Sequence, residues 1–161
     1  MAIYYSDGSN SADGRCIQVV ENTSATQSNH SSTSYTDTNL SVNITPKASD
    51  SNILVMAFWT GGIYQNGYNS RGACALFRDS TQISERQWFA DNGAGGSVNV
   101  NITTNESICV LDESHGTTSQ ITYKMKAKQF STSYSPLYKF GHYLDSTGNA
   151  LQTIIAMEIS D

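Results

Sequence analysis

The chain has 161 residues, a formal net charge of −5 and only 14% charged residues. Its length favours one folded domain, and its abundance of Ser, Thr, Asn and Tyr excludes a long charged helix or coiled coil. The acidic balance excludes the basic stripe that binds nucleic acid, and no apolar run approaches the roughly 20 residues that span a membrane.

Residues 1–13 are predicted to form an arm outside the main domain, which covers residues 14–161. Ile3, Tyr4 and Tyr5 make a short apolar patch, and turn-forming residues follow it. Three adjacent apolar or aromatic side chains are a liability on a free protein. We therefore expect them to dock onto another molecule and to become ordered there. A frayed terminus or an ordinary first strand is the alternative.

The first half of the chain contains three clear strand patterns. Cys16–Val20 is a short apolar run, and Leu40–Ile44 alternates apolar and polar residues, which predicts a strand with one buried face. Asn52–Thr60 is apolar on both faces, as expected of a strand that is covered on both sides. Gly61 and Gly62 are expected to end that strand, and a loop rich in Tyr, Asn and Gly is expected over residues 64–72.

The second half continues with short strand patterns that are separated by turn residues. They cover Ala73–Arg78, Ile83–Ala90, Val98–Thr103, Ile108–Leu111, Ile121–Phe130, Leu137–Leu144 and Leu151–Ile159. In Ile121–Phe130 the lysines at 124, 126 and 128 are predicted to face solvent. With about nine or ten short strands and no helical period, the sequence predicts an all-β protein, an antiparallel jelly-roll-like β-sandwich with a short N-terminal arm.

The predicted strands Asn52–Thr60 and Leu151–Ile159 carry more apolar residues than a sandwich can bury. A two-layer sandwich has one inner face per sheet, so the second apolar set of such a strand has no place inside the monomer. A subunit interface is the natural place for these side chains. We expect this interface to form a homotrimer and to contain Leu54, Met56, Phe58 and Ile154.

The predicted loop over residues 64–72 combines aromatic rings with side-chain amides. Such a combination is typical of sugar sites, where a ring stacks on the sugar and amides bind its hydroxyl groups. The same residues could instead pack against a neighbouring subunit, because interfaces are also rich in Tyr. The candidates for contact with a glycan or a partner are Tyr64, Gln65, Asn66, Tyr68 and Asn69.

The sequence offers little that would support catalysis or metal binding. The three Cys lack the paired spacing of a disulfide framework or a zinc site and are interpreted as small strand residues of a protein made in a reducing cytoplasm. The three His stand far apart in the sequence. Asp112–His115 is the best local cluster, but a polar loop at a strand end explains it better. We expect no enzyme activity, no metal and no cofactor.

Several of these segments together resemble a β-sandwich module of virion proteins in tailed phages, of the kind found in phages of cyanobacteria and marine bacteria. Its strand pair is matched by Ser34–Lys47 and Asn52–Met56, and its middle hairpin by Ala75–Ile83. Its Thr/Tyr/Lys strand is matched by Thr118–Lys124, and its closing strand by Leu151–Ile159. Such modules occur in head accessory proteins and in tail fibres.

The resemblance implies a jelly-roll-like sandwich, similar to the trimeric tumour-necrosis-factor and complement-type domains, without catalytic residues. It predicts a capsid decoration or cement protein on the phage head, with the major capsid protein or other virion proteins as partners of the arm. The alternative is a tail fibre or receptor-binding tip that recognises a host surface glycan. A glycan depolymerase, which needs a carboxylate pair, is a third and weaker interpretation. The expected location is the virion, without nucleic acid or membrane as a partner.

Overall fold

The computed structural model describes residues 14–66, 70–90, 99–130, 137–141 and 150–160. These residues form ten β-strands and no helix, hence no helix long and apolar enough to cross a membrane. In chain order the strands are β1 Cys16–Ser24, β2 Ser28–His30, β3 Thr36–Ile44, β4 Asn52–Asn66, β5 Ser70–Arg78, β6 Thr81–Ala90, β7 Asn99–Asp112, β8 Ile121–Gln129, β9 Leu137–Phe140 and β10 Gln152–Ile159.

The strands form two antiparallel sheets. In sheet A, β4 pairs with β7 along its whole length, while its other edge pairs first with β10 and further on with β9. The edges beyond are β1, next to β10, and β2, next to β9. Sheet B has the order β3-β8-β5-β6. The orders β1-β10-β4-β7 and β3-β8-β5-β6 are those of a jelly roll with two short added strands, which confirms the predicted fold class.

The core lies between the two sheets. Strand β8 shows the pattern most clearly, because every second residue from Ile121 to Gln129 is buried and the lysines between them face outward, as predicted. Strand β3 adds its buried residues from Leu40 to Ile44. Trp59 and Trp88 are both buried in this core.

Strand β4 is longer than expected, because Gly61 and Gly62 do not end it. It continues through both glycines to Asn66 and pairs there with β9 and β7. A side chain at position 61 would place its Cβ atom within 3.0 Å of the Tyr138 ring. Gly61 therefore allows the close approach of a buried tyrosine rather than a turn.

Other strand boundaries also differ from the sequence patterns. The two short strands expected between 98 and 111 are one 14-residue strand, β7, which follows β4 throughout. The expected strand Leu137–Leu144 is described only as the four-residue β9. The polar segment 22–34 contains the end of β1 and all of β2.

Candidate functional site

The outer surface of sheet A is the candidate site, because apolar side chains line up across four of its strands. The register places Val19, Met157, Leu54 and Leu111 in one row, and Ile155, Met56 and Cys109 in the next. We call these residues, together with Phe58, the apolar face. Val19 is 55% exposed, Phe58 48% and Leu111 45%.

The apolar face consists of adjoining residues rather than a few scattered ones. Isolated exposed apolar residues are normal, but adjoining ones mark an interaction surface. A shallow depression of about 320 Å³ lies at one side of Phe58, and Leu151, which is 67% exposed, also lines it. The depression is mostly polar, because Thr60, Asn105, Glu106, Ser107 and Thr153 line it together with Phe58, Trp59 and Leu151.

The structure places three of the four predicted interface residues on the apolar face and corrects the fourth. Leu54, Met56 and Phe58 point outward, whereas Ile154 is fully buried in the core. The reason is the register, since Ile154 pairs with the inward-facing Ala57. Its neighbour Ile155 occupies the outward position instead, and Ile154 is no longer a candidate for a subunit contact.

Five members of the apolar face were not predicted from the sequence, namely Val19, Cys109, Leu111, Ile155 and Met157. The alternation of Ile155 and Met157 in the last strand was a usable signal for two of them. Val19, Cys109 and Leu111 lie in short, largely apolar runs, in which alternation does not show which residues face outward. They join the face only because β1 and β7 pair with β10 and β4.

The outer surface of sheet B has a different chemistry. Lys124 and Lys126 both contact Asp37, at 3.3 and 3.0 Å, and Lys128 lies 3.6 Å from Glu85. The ammonium groups of Lys126 and Lys128 also cover aromatic rings, 4.7 Å from the centroid of Phe77 and 4.2 Å from that of Tyr35. Charged side chains over an outer sheet surface prevent sheet-to-sheet association. This contrast makes sheet A the surface available for apolar contacts.

The cluster Asp112–His115 is not a combined acid–base site. Nη1 of Arg78 lies 2.8 and 3.0 Å from the two carboxylate oxygens of Asp112, and the Tyr123 hydroxyl donates to the same carboxylate at 2.6 Å. Burial, followed by this hydrogen bond, raises the pKa of Tyr123. Asp112 therefore joins sheet A to two paired residues of sheet B, which is a structural role.

His115 belongs to a second polar network around Glu158. Its Nε2 atom lies against the backbone oxygen of Ser51, whose hydroxyl donates to the Glu158 carboxylate at 2.8 Å. Burial of Glu158 opposes its ionisation, but this bond and further donors from Gln18 and the backbone of Lys47 and Ala48 lower its pKa. The buried carboxylate thereby holds the turn between β3 and β4.

The remaining predicted site residues are only partly described. The arm residues Ile3, Tyr4 and Tyr5 lie outside the described residues, and so do Tyr68 and Asn69. The backbone at 64–66 belongs to β4, so Tyr64, Gln65 and Asn66 are strand rather than loop residues, and their side chains lie outside the description. In the described ranges no three His, Cys, Asp or Glu side chains are grouped as metal ligands.

The sequence matches no family model and no curated protein. The similarity to solved structures is weak. Dimeric latent PorU from Porphyromonas gingivalis has 12% identity and a TM-score of 0.33 over 98% of this chain and 14% of that chain. A chain from infectious bursal disease virus, Gx strain, has 15% identity and a TM-score of 0.31 over 89% of this chain and 37% of that one. Similarities this weak carry no functional information.

Proposed function

We propose that the protein is a structural component of a tailed-phage virion, a homotrimer that decorates the head surface. The observation that carries the proposal is the apolar face of sheet A. The resemblance of the sequence to a phage virion module supplies the virion context and the trimeric state. In this proposal the arm around Ile3, Tyr4 and Tyr5 contacts the major capsid protein or another virion protein.

A second copy of the same chain is the partner that best suits the apolar face. Obligate interfaces between identical subunits are more apolar than transient ones and resemble a core that has been divided in two. The rows across β1, β10, β4 and β7 have this character. Phe58 lies near the middle of β4, where a neighbouring subunit would remove it from water.

The substitution Phe58→Asp tests the assembly. It should give a folded monomer near 17.5 kDa by light scattering, whereas the unmodified chain should have about three times that mass. Burying an unpaired carboxylate in an apolar contact costs several kcal/mol, which is enough to dissociate a trimer. The control is Gln82→Asp on the outer surface of sheet B, which should leave the mass unchanged.

The virion part of the proposal has a separate measurement. Quantitative mass spectrometry of purified heads and tails from the phage that encodes the chain should find it on heads, and the Phe58→Asp protein should bind such heads less well. A wild-type monomer at micromolar concentration would contradict the trimer. Recovery of the protein on tails alone would contradict head decoration and favour the tail-fibre alternative.

A further inference from the structure

Strand β7 lies at one edge of sheet A. It pairs with β4 along all of Asn99–Asp112, in a register without a bulge. Within the described ranges, no strand pairs with its other side. An edge of this kind presents a row of backbone N–H and C=O groups, which a further strand can use for hydrogen bonding.

The sequence of β7 lacks the features that usually protect a strand edge. Such edges commonly carry lysine, proline or a bulge, whereas β7 has none of these, and six of its 14 residues are β-branched. Its two carboxylates already have cationic partners, because Glu106 is paired with Arg86 and Asp112 with Arg78. The strand is therefore suited to pairing with a second strand on its outer side.

The opposite edge of sheet A is closed against sheet B. There the side-chain amides of Gln18 and Asn22 on β1 donate to the carbonyl groups of Thr45 and Ser41, each at 2.8 Å. These bonds tie β1 to the edge of β3. At the β7 edge, an ion pair between Glu106 and the largely exposed side chain of Arg86 links the two sheets. Of the two edges, the one at β7 is therefore the more accessible.

The apolar face reaches the β7 edge without a polar rim. Its first row ends there at Leu111 and its second row at Cys109, and both residues are exposed. These two positions are two residues apart on one strand. A strand added beside β7 would continue both rows if it carried apolar side chains at positions i and i+2.

The arm carries this spacing at Ile3 and Tyr5. In an extended strand these two side chains would point to one side, and that of Tyr4 to the other. Isoleucine and tyrosine also favour the strand conformation. The arm therefore supplies two apolar side chains that fit the ends of the two rows.

The place where the arm joins the domain indicates which copy supplies it. The arm is followed by Gly14, whose N–H donates to the carbonyl of Ser160 at 2.9 Å, next to the beginning of β1. From β1, the β7 edge of the same chain is three strand spacings away across the apolar face, about 14 Å. In the proposed function a second copy covers that face and borders β7. The arm of this second copy reaches the edge without crossing the subunit contact.

We propose that the arm of a neighbouring copy adds to β7 as a further strand, with Ile3 and Tyr5 beside Cys109 and Leu111. This pairing rests on the proposed function, because it needs assembled copies. It identifies the virion protein that the arm contacts as a second copy of this chain. Backbone hydrogen bonds close the free edge of β7, and the two arm side chains extend the apolar contact between subunits.

Disulfide trapping with the native Cys109 tests the pairing. Ile3→Cys and Tyr5→Cys are introduced separately into a Cys16→Ser background and oxidised with copper phenanthroline. Paired residues on neighbouring strands have Cα atoms about 5 Å apart, within the range that a disulfide spans. At least one variant should therefore give covalent species of two or three times 17.5 kDa on a non-reducing gel, and adding Cys109→Ser should abolish them. Tyr4→Cys, which faces the other side, is the matched control and should stay a single chain.

Light scattering before oxidation separates this proposal from the trimer itself. A trimer in which neither Ile3→Cys nor Tyr5→Cys gives a covalent species, or in which Tyr4→Cys reacts equally, overturns the arm pairing and leaves the proposed function in place. A monomeric mass overturns both. A disulfide to Cys109 within one chain, identified by peptide mass spectrometry, would show that the arm pairs in its own subunit and would also overturn the proposal.

Discussion

At the scale of a single residue, Asp112 shows that contacts with residues distant in the sequence determine what a side chain does. Its neighbours in the sequence, Glu113 to His115, suggest a possible acid–base cluster. Its partners in the fold are Arg78 and Tyr123, which belong to the opposite sheet. His115 instead meets Ser51. Local spacing cannot predict these contacts, because they depend on which strand ends meet when the two sheets pack.

Substitution of Asp112 tests this structural role. Asp112→Asn should lower the free energy of unfolding by about 3 kcal/mol, because it leaves the mostly buried Arg78 guanidinium without its counter-charge. Urea denaturation measures the change. The neighbouring Glu113→Gln at an exposed position is the matched control and should stay within about 0.5 kcal/mol of the wild type. Similar losses in both variants would contradict the role assigned to Asp112.

At the scale of elements, the sequence predicted strand identity well and strand faces less well. The alternation in β3 and β8 shows their inner faces directly, because polar residues mark the outer positions. In β10 both sets contain apolar residues, and the buried set also contains Gln152 and Glu158, so period two alone cannot say which set is inside. The pairing of Ile154 with Ala57 decides it. The sequence also predicts a strand end at Gly61, because the contact of Gly61 with Tyr138 arises only when β4 pairs with β9.

Strand β2 contains a buried histidine, His30, from which a pH dependence of the folding stability follows. His30 is 2% exposed and lies within 2.8 Å of the hydroxyl groups of Ser28 and Thr36. Burial lowers its pKa from 6.5 to about 4. The unfolded chain therefore binds a proton between these pH values that the folded protein does not bind, and stability falls as the pH falls through this range.

The variant His30→Gln isolates this contribution. Between pH 7 and about pH 5 the wild type should lose about 2 kcal/mol more unfolding free energy than the variant, as measured by urea denaturation. Carboxylates and the other two histidines are common to both proteins and cancel in the comparison. Parallel pH profiles would show that His30 is not held neutral by burial.

At the scale of the whole molecule, the two outer surfaces of the sandwich differ in chemistry. Sheet B carries lysines whose ammonium groups already have Asp37 and Glu85 as partners on the same surface. Sheet A carries the apolar face, whose side chains are removed from water only when another surface covers them. The sequence predicted an excess of apolar strand residues. The surface they share became visible only when the order β1-β10-β4-β7 was known.

Cys109 provides a probe in the middle of the apolar face, because it is exposed and pairs with Met56. In a Cys16→Ser background it should be the thiol that reacts, since Cys74 is buried and its pKa is raised to about 12 by that burial. The comparison protein carries Phe58→Asp in the same Cys16→Ser background. If a second copy covers the apolar face, Cys109 should react with a thiol reagent at least about tenfold more slowly in the protein that keeps Phe58. A tenfold difference corresponds to about 1.4 kcal/mol of protection. Equal rates in proteins of different mass would mean that the subunit contact includes Phe58 but leaves Cys109 uncovered. Equal rates in proteins of equal mass would mean that the apolar face does not bring subunits together.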